Sequence, residues 1–343
     1  MSYLAAEFQG PHQLQLVRKP IPEVRGQDVR IRIKAGTICG TDLHILAGHH
    51  FAEAPVVICH EFSGYVDAVG DQVSTVKVGD LVTVEPHLFC GTCKYCRIGK
   101  EHLCLSKLAF GVHLDGGFAE LCVVPEKTVY KVPEGMSAEV AALTENIGCC
   151  MHGVDRLEVK VGDSAVILGG GFVGIVLAEL IRRSGAGKII VAEPNEIRRH
   201  LLAKRGFIVV DPLRDNLPER VLQETGELGA DIVVEAAGRS DTAKQCFELA
   251  GRGATIMFFG VVPPSQSIEI SPNDIFKREL KVLGSAINPY THHRALEIMP
   301  ALELEELITH RYPLEEVAQA FETARQGAGI KVAVLPGQGG DRP

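Results

Sequence analysis

The chain has 343 residues, which at roughly 150 residues per domain implies about two domains, each long enough to bury its own core. Its 35 basic and 43 acidic side chains leave a net charge of −8, which argues against a polyanionic partner such as nucleic acid or an acidic membrane surface. Hydrophobic content of 46% is ordinary, but ten cysteines are too few per length for a disulfide scaffold and too many to pass over, so metal or thiol chemistry in a reducing compartment is the first hypothesis.

Met1 to Gly10 has no basic segment leading into a long apolar one, so no export signal is expected and the cytoplasm is the expected compartment. Up to about residue 145 the chain reads as short strands between turn residues. Val29, Ile31, Ile33 and Ala35 alternate with Arg30, Arg32 and Lys34, the period of two of a strand with one buried face. Val66 to Val69, Leu81 to Val84 and Ala119 to Val124 are further β-rich runs. This half is expected to be an antiparallel barrel or sandwich.

From about residue 160 the texture changes. Ala165 to Leu168, Lys188 to Ala192, Ile208 to Val210, Asp231 to Glu235 and Ala254 to Phe259 read as strands, with helices over Val173 to Arg183, Asn195 to Arg205 and Thr242 to Leu249. That alternation predicts βαβ units, a parallel sheet and helices on both faces. The longest apolar run, Ala165 to Ala178, spans 14 residues with four glycines, short of the roughly 20 a membrane span needs, so no span is expected. After Leu283 the chain turns helical and polar, with a helix over Leu314 to Arg325, a strand over Lys331 to Leu335 and a polar tail from Gly337 to Pro343.

Four thiols follow one another as Cys90-x2-Cys93-x2-Cys96-x7-Cys104. Thiolates at such spacings wrap one Zn²⁺ tetrahedrally and leave no open position, which makes a structural site; an iron–sulfur cluster is the alternative. A second constellation is dispersed: Cys39, His60 with Glu61, and Glu145. One thiolate, one imidazole and one carboxylate form a three-ligand set that leaves a fourth position for water or substrate. Gly169, Gly171 and Gly174 form G-x-G-x-x-G directly after a strand, with Phe172 and Val173 opening the following helix. Such a turn lets the backbone approach a pyrophosphate held at a helix N-terminus. Glu193 closes the next strand, where a carboxylate accepts hydrogen bonds from the adenosine ribose and repels a 2′-phosphate. NAD is therefore expected over NADP, although Arg198 and Arg199 stand near enough to hold a phosphate.

With these motifs in this order, together with Thr309 to Leu314 and Ala320-Phe321 near the end, the chain resembles the zinc-dependent medium-chain dehydrogenases, the family of alcohol, polyol and threonine dehydrogenases. The resemblance implies an α/β protein. A GroES-like β-barrel catalytic domain would occupy residues 1–147 and 290–343, and a Rossmann domain with a doubly wound parallel sheet residues 148–289. It implies two zinc ions per chain, a catalytic one on Cys39 and His60 and a structural one on Cys90, Cys93, Cys96 and Cys104. Glu145 stands where plain alcohol dehydrogenases place a third Cys and polyol and threonine dehydrogenases an acid. Glu61 either enters the metal shell or orients it. Thr41 and His44 match a hydroxyl and imidazole proton relay through the cofactor ribose. Gly260 to Val262 and Ser285 to Ile287, among them Gly260, Val262, Ser285 and Ile287, match backbone contacts to the nicotinamide amide. His87 lies where threonine dehydrogenases carry a substrate-site histidine. A homo-oligomer, tetramer or dimer, is expected through edge strands near Lys281 to Ser285.

Zinc would polarise a substrate hydroxyl and nicotinamide would take the hydride, so the expected activity is oxidation of a secondary hydroxyl of a sugar alcohol or polyol. A threonine-type amino-alcohol dehydrogenase is the nearest alternative, and an NAD-binding structural protein the non-enzymatic one. Three departures from the family pattern stand out: Cys59 replaces the usual Gly before His60, Asn146 replaces a common Pro after Glu145, and Gly284 to Tyr290 lacks an Arg-Tyr pair. Cys59, Cys122, Cys149, Cys150 and Cys246 are expected to be reduced packing residues. His49, His50, His292 and His293 are expected to be solvated or on the rim of the substrate cleft.

Overall fold

The computed structural model describes residues 1–337 and divides into two compact units, Met1–Gly148 together with Pro289–Pro343, and Cys149–Asn288. The chain opens with β1 (Ser2–Gly10), β2 (Gln13–Pro20) and β3 (Asp28–Thr37), then α1 (Gly40–Leu46), β4 (Val56–Val57), β5 (Phe62–Val69), β6 (Leu81–Val84) and β7 (His87–Leu88). A loop carrying the one-turn helix α2 (Lys94–Arg97) leads to β8 (Leu108–Ala109), β9 (Leu121–Pro125), β10 (Val129–Lys131), α3 (Ala138–Ala141) and α4 (Thr144–Leu157).

The predicted alternation is realised in β3, the spine of this unit. Val29, Ile31, Ile33 and Ala35 are fully enclosed, while Arg30 and Arg32 leave the core face and share Asp67 of β5. β3 runs antiparallel to β5 and to β9, and β1 pairs antiparallel with β2 and β4. The inward faces close over one core that includes Ile31, Ile58, Phe62 and Phe118. At roughly 1.5–3 kcal/mol for each such fully buried side chain, that core sets the positions of the loops between its strands.

The second unit follows the βαβ expectation. It contains β11 (Ser164–Leu168), α5 (Phe172–Arg183), β12 (Lys188–Ala192), α6 (Glu196–Lys204), β13 (Ile208–Val210), α7 (Leu217–Glu224), β14 (Ala230–Glu235), α8 (Ser240–Leu249), β15 (Ala250–Phe258), α9 (Pro272–Arg278) and β16 (Lys281–Gly284). The strands lie in the order β13-β12-β11-β14-β15-β16, every pair parallel. This is the doubly wound Rossmann order, which places ligands outside the carboxyl ends of the strands at the reversal of strand order. Sequence reading missed α7 and α9, although both carry start signals. Asn216 caps α7 through the Glu219 N–H and Ser271 caps α9 through the Asp274 N–H, each with Pro in the first turn.

The chain then adds α10 (His292–Ile298), β17 (Ile308–Pro313), α11 (Val317–Arg325) and β18 (Lys331–Leu335) to the first unit. β18 pairs antiparallel with β3 and parallel with β17. β17 was not legible because its outward residues Thr309 and Arg311 break up the apolar pattern. The helix expected from Leu314 opens as a 3₁₀ turn over Leu314–Glu316, and α11 proper begins at Val317. Apart from Gly337, the polar tail lies outside the described residues. Among the described residues no helix is long and apolar enough to cross a membrane.

Candidate metal and nucleotide sites

The cysteine loop gathers Cys90, Cys93, Cys96 and Cys104 so that their sulfurs all lie within 4.8 Å of one another. Cys93 Sγ is 3.6 Å and Cys90 Sγ 3.9 Å from Cys96 Sγ. Four sulfurs at Zn–S distances of about 2.3 Å stand about 3.8 Å apart at the corners of a tetrahedron, so the donor set fits one closed zinc site. The backbone N–H groups of Thr92 and Cys93 point at Cys90 and hold its thiol down to about 6, in the range where the thiolate is the ready form.

The dispersed constellation also converges, with a change of membership. Cys39, His60 and Glu61 each place a ligand atom within 4.8 Å of the others. Cys39 is the N-cap of α1, and Asp42 in the first turn accepts the Cys39 N–H at 2.8 Å. The other oxygen of Asp42 lies 3.6 Å from His60 Nδ1, and neither atom has a hydrogen bond. Asp42 was not singled out from sequence; its signal was the acid three residues after a helix-capping position.

Glu145 does not join this group. It is buried in the first turn of α4, and its neighbour Asn146 is the residue that reaches Glu61, donating from Nδ2 to Oε1. The other Glu61 oxygen, Oε2, accepts from Thr37 Oγ1 and from Lys331 Nζ of β18.

Cys59, which precedes this pair, has φ of 90° and is fully buried. Burial together with Asp42 and Glu61 pushes its thiol well up, which suits an inert packing role. Burial and the Glu61 carboxylate also push the Cys39 thiol up. The enclosed acids Asp42 and Glu61 lie with the enclosed His60 and Lys331, and a divalent cation taking the place of the proton on His60 would be held among donors of the right kind. The set therefore fits a metal held by three protein ligands with an open position.

Thr41 and His44 stand one helical turn apart on α1. The Thr41 hydroxyl lies 3.7 Å from Cys39 Sγ. His44 is half-buried; burial, with His49 and His50 nearby, lowers its pKa.

In the Rossmann unit the glycine-rich turn links β11 to α5. Gly169 has φ of 108°, and a Cβ on Gly174 would stand 1.8 Å from the Gly169 carbonyl oxygen, so neither position tolerates a side chain. Gly171 is the N-cap of α5 and offers no capping side chain, so the first turn of the helix, with Phe172 and Val173, opens directly from the glycine-rich turn. Glu193, just beyond β12, accepts the N–H groups of Gly170 at 2.7 Å and Asn195 at 2.8 Å. Arg198 Nη1 lies 4.0 Å from Glu193. Arg199 is tied to the Glu193 and Pro194 carbonyls and to Asp211. Gly260 and Val262 follow β15, and Ser285 and Ile287 follow β16, all at carboxyl ends of parallel strands.

Residues 25–134 match the family model of the alcohol dehydrogenase GroES-like domain and residues 173–302 that of the zinc-binding dehydrogenases. The L-threonine 3-dehydrogenase of Caldanaerobacter subterraneus subsp. tengcongensis is 34% identical over 330 residues, 94% of this chain and 95% of its own length. This chain belongs to the zinc-dependent medium-chain dehydrogenase/reductase family. Among solved structures, a zinc-binding dehydrogenase from Sinorhizobium meliloti bound to NADP superposes with a TM-score of 0.95 at 35% identity, covering 98% of this chain and 100% of that one. The 2R,3R-butanediol dehydrogenase of Bacillus subtilis gives 0.90 at 27% identity, covering 98% and 100%. The chain is thus an alcohol-type oxidoreductase that uses zinc and a nicotinamide cofactor.

One group of histidines in this medium-chain dehydrogenase differs from expectation. His49, His50 and His293 are exposed, but His292 is 1% exposed. Its Nδ1 lies 2.7 Å from Glu85 Oε2, its Nε2 3.2 Å from the Val84 carbonyl oxygen, and the Tyr130 ring packs against it. The pairing partner is 207 residues away in sequence, so nothing local marked it. Glu85 Oε1 takes His87 Nδ1 at 2.6 Å, and the His87 ring stacks on Phe89.

Proposed function

We propose that this dehydrogenase oxidises the secondary hydroxyl of a small alcohol that carries a second polar group on the adjacent carbon, with NAD as hydride acceptor. The observation that carries the reading is the open set of Cys39, His60 and Glu61, with the Thr41 hydroxyl beside the thiol. Bound zinc would supply Lewis-acid polarisation of the substrate hydroxyl, and the nicotinamide would take the hydride. Cys39, His60 and one acid, Glu61 rather than Glu145, hold that metal, and Asp42 steadies His60. Thr41 and His44 carry the released proton outward along one face of α1. His44, with its lowered pKa, is the base at the end of that path.

Gly169, Gly171, Phe172, Val173 and Gly174 receive the pyrophosphate, and Glu193 beside Arg198 receives the adenosine ribose. Both Glu193 oxygens keep a lone pair beyond their backbone donors, which supports NAD over NADP. Backbone groups of Gly260, Val262, Ser285 and Ile287 meet the nicotinamide amide. Subunits pair through β16, an edge strand of the parallel sheet.

An amino alcohol of the threonine type is supported by relatives named L-threonine 3-dehydrogenase that match over 94% of the chain. A polyol is the second reading, supported by the likeness to a butanediol dehydrogenase. The deciding experiment is a panel in which the group beside the secondary hydroxyl is an amine, a hydroxyl or a methyl, assayed with NAD and NADP by absorbance of the reduced nicotinamide. Turnover that requires the amine selects the first reading and turnover that requires the second hydroxyl the other. No turnover of any secondary alcohol with either cofactor overturns both.

A further inference from the structure

Three donors converge on the Glu61 carboxylate, and they are not shared evenly. Oε2 accepts both Lys331 Nζ and Thr37 Oγ1, which uses its two lone pairs. Among the described residues Oε1 accepts only Asn146 Nδ2, so a single lone pair of the carboxylate is left to a further partner. Glu61 is 0% and Asn146 5% exposed, so water does not compete for these positions. Where Asn146 stands, the family pattern has proline, which has no side-chain donor.

Resting on the metal reading above, we propose that Asn146 is a positioning residue for the open metal site: it fixes the Glu61 carboxylate so that one oxygen alone, Oε1, keeps a lone pair to offer a metal beside Cys39 and His60. Lys331 and Thr37 hold Oε2 and Asn146 holds Oε1, together opposing rotation about the last side-chain bond, which is otherwise soft in glutamate. Glu61 would thereby offer a bound metal one oxygen. The donor comes from α4, the helix that carries Glu145, so this helix acts on Glu61 through an amide. Groups that orient metal ligands typically contribute 10–100-fold in metal affinity.

The test uses the full chain, stripped and reloaded with Zn²⁺ or Co²⁺, as wild type, Asn146→Leu and Asn146→Asp. Leucine removes the donor at similar volume, and aspartate sets a second carboxylate against Glu61. Metal content, zinc affinity by chelator competition and the visible Co²⁺ spectrum are read for each. Both variants are expected to keep the loop metal, with its intense thiolate-to-cobalt band as a sign that the unit is folded. Both should lose open-site zinc affinity by roughly 10–100-fold and shift the open-site cobalt bands. Wild-type affinity and spectrum in both variants overturn the inference alone. A wild type that holds only the loop metal overturns the metal reading and this inference with it.

Discussion

Lys331 Nζ lies 2.6 Å from a carboxylate oxygen of Glu61, and the two side chains are 5% and 0% exposed. An ammonium on the last strand of the chain thus neutralises an acid that follows the metal-site histidine, across 270 residues of sequence. Breaking one side of a buried pair leaves the other charge uncompensated, at a cost of about 3–5 kcal/mol. Lys331→Met should lower the unfolding free energy of the metal-free protein by that amount in urea titrations. Adding Glu61→Gln should recover at least half of the loss. A single-variant loss below about 1 kcal/mol would place the pair in the ordinary range of surface ion pairs.

Glu85 gives a stability signature in acid. Burial opposes its charge, but His292 and then His87 outweigh burial and hold the carboxyl at about 2, below its ordinary 4.5. A folded-state value below the unfolded one means that the ionised form stabilises the fold above pH 4.5. That contribution, about 3 kcal/mol at 1.36 kcal/mol per pH unit, is lost as the pH falls toward 2. Wild type should therefore exceed Glu85→Gln in stability at neutral pH, with the gap closing through this window. A gap that is flat with pH contradicts the arrangement.

Gly174→Ala puts a methyl group 1.8 Å from the Gly169 carbonyl oxygen, a clash between two pieces of backbone-anchored structure that no rotamer relieves. The expected loss is above about 2 kcal/mol, with nucleotide binding by calorimetry weakened at least tenfold. Normal binding would show that the turn can move apart.

His44→Ala should lower turnover by roughly 10²-fold with little change in zinc content, and a small added base such as imidazole should restore part of it. The acid limb of the pH–rate profile should disappear in the variant. An unchanged profile removes His44 from the proton path.

Cys93→Ser tests the closed site. It should leave one metal per chain against two expected for wild type, and expose the loop between Pro86 and Leu108 to proteolysis. A variant that retains both metals would reassign the four thiols.

Patterns carried by neighbouring residues were legible before any folding. The alternation in β3, the run of strand-like and helix-like stretches in the βαβ region, the four-cysteine spacing and the glycine-rich turn are each written in short stretches of sequence, so the chain's own periodicity determines them. The Cys39, His60 and Glu61 grouping was legible for a different reason, because only a few chemistries use that combination of ligands.

What tertiary structure alone decided are the partners across long separations. Lys331 against Glu61, Asn146 in reach of that carboxylate, and His292 enclosed by Glu85 and Val84 depend on which strand lies beside which and how a helix is rotated. A rotation of one residue moves a side chain by about 100°, a difference that composition and spacing do not encode. The ten cysteines that opened the question sort the same way: spacing marked the four of the loop, the ligand pattern set Cys39 apart from Cys59, and the fold added that Cys59 is enclosed while Cys39 groups with His60 and Glu61.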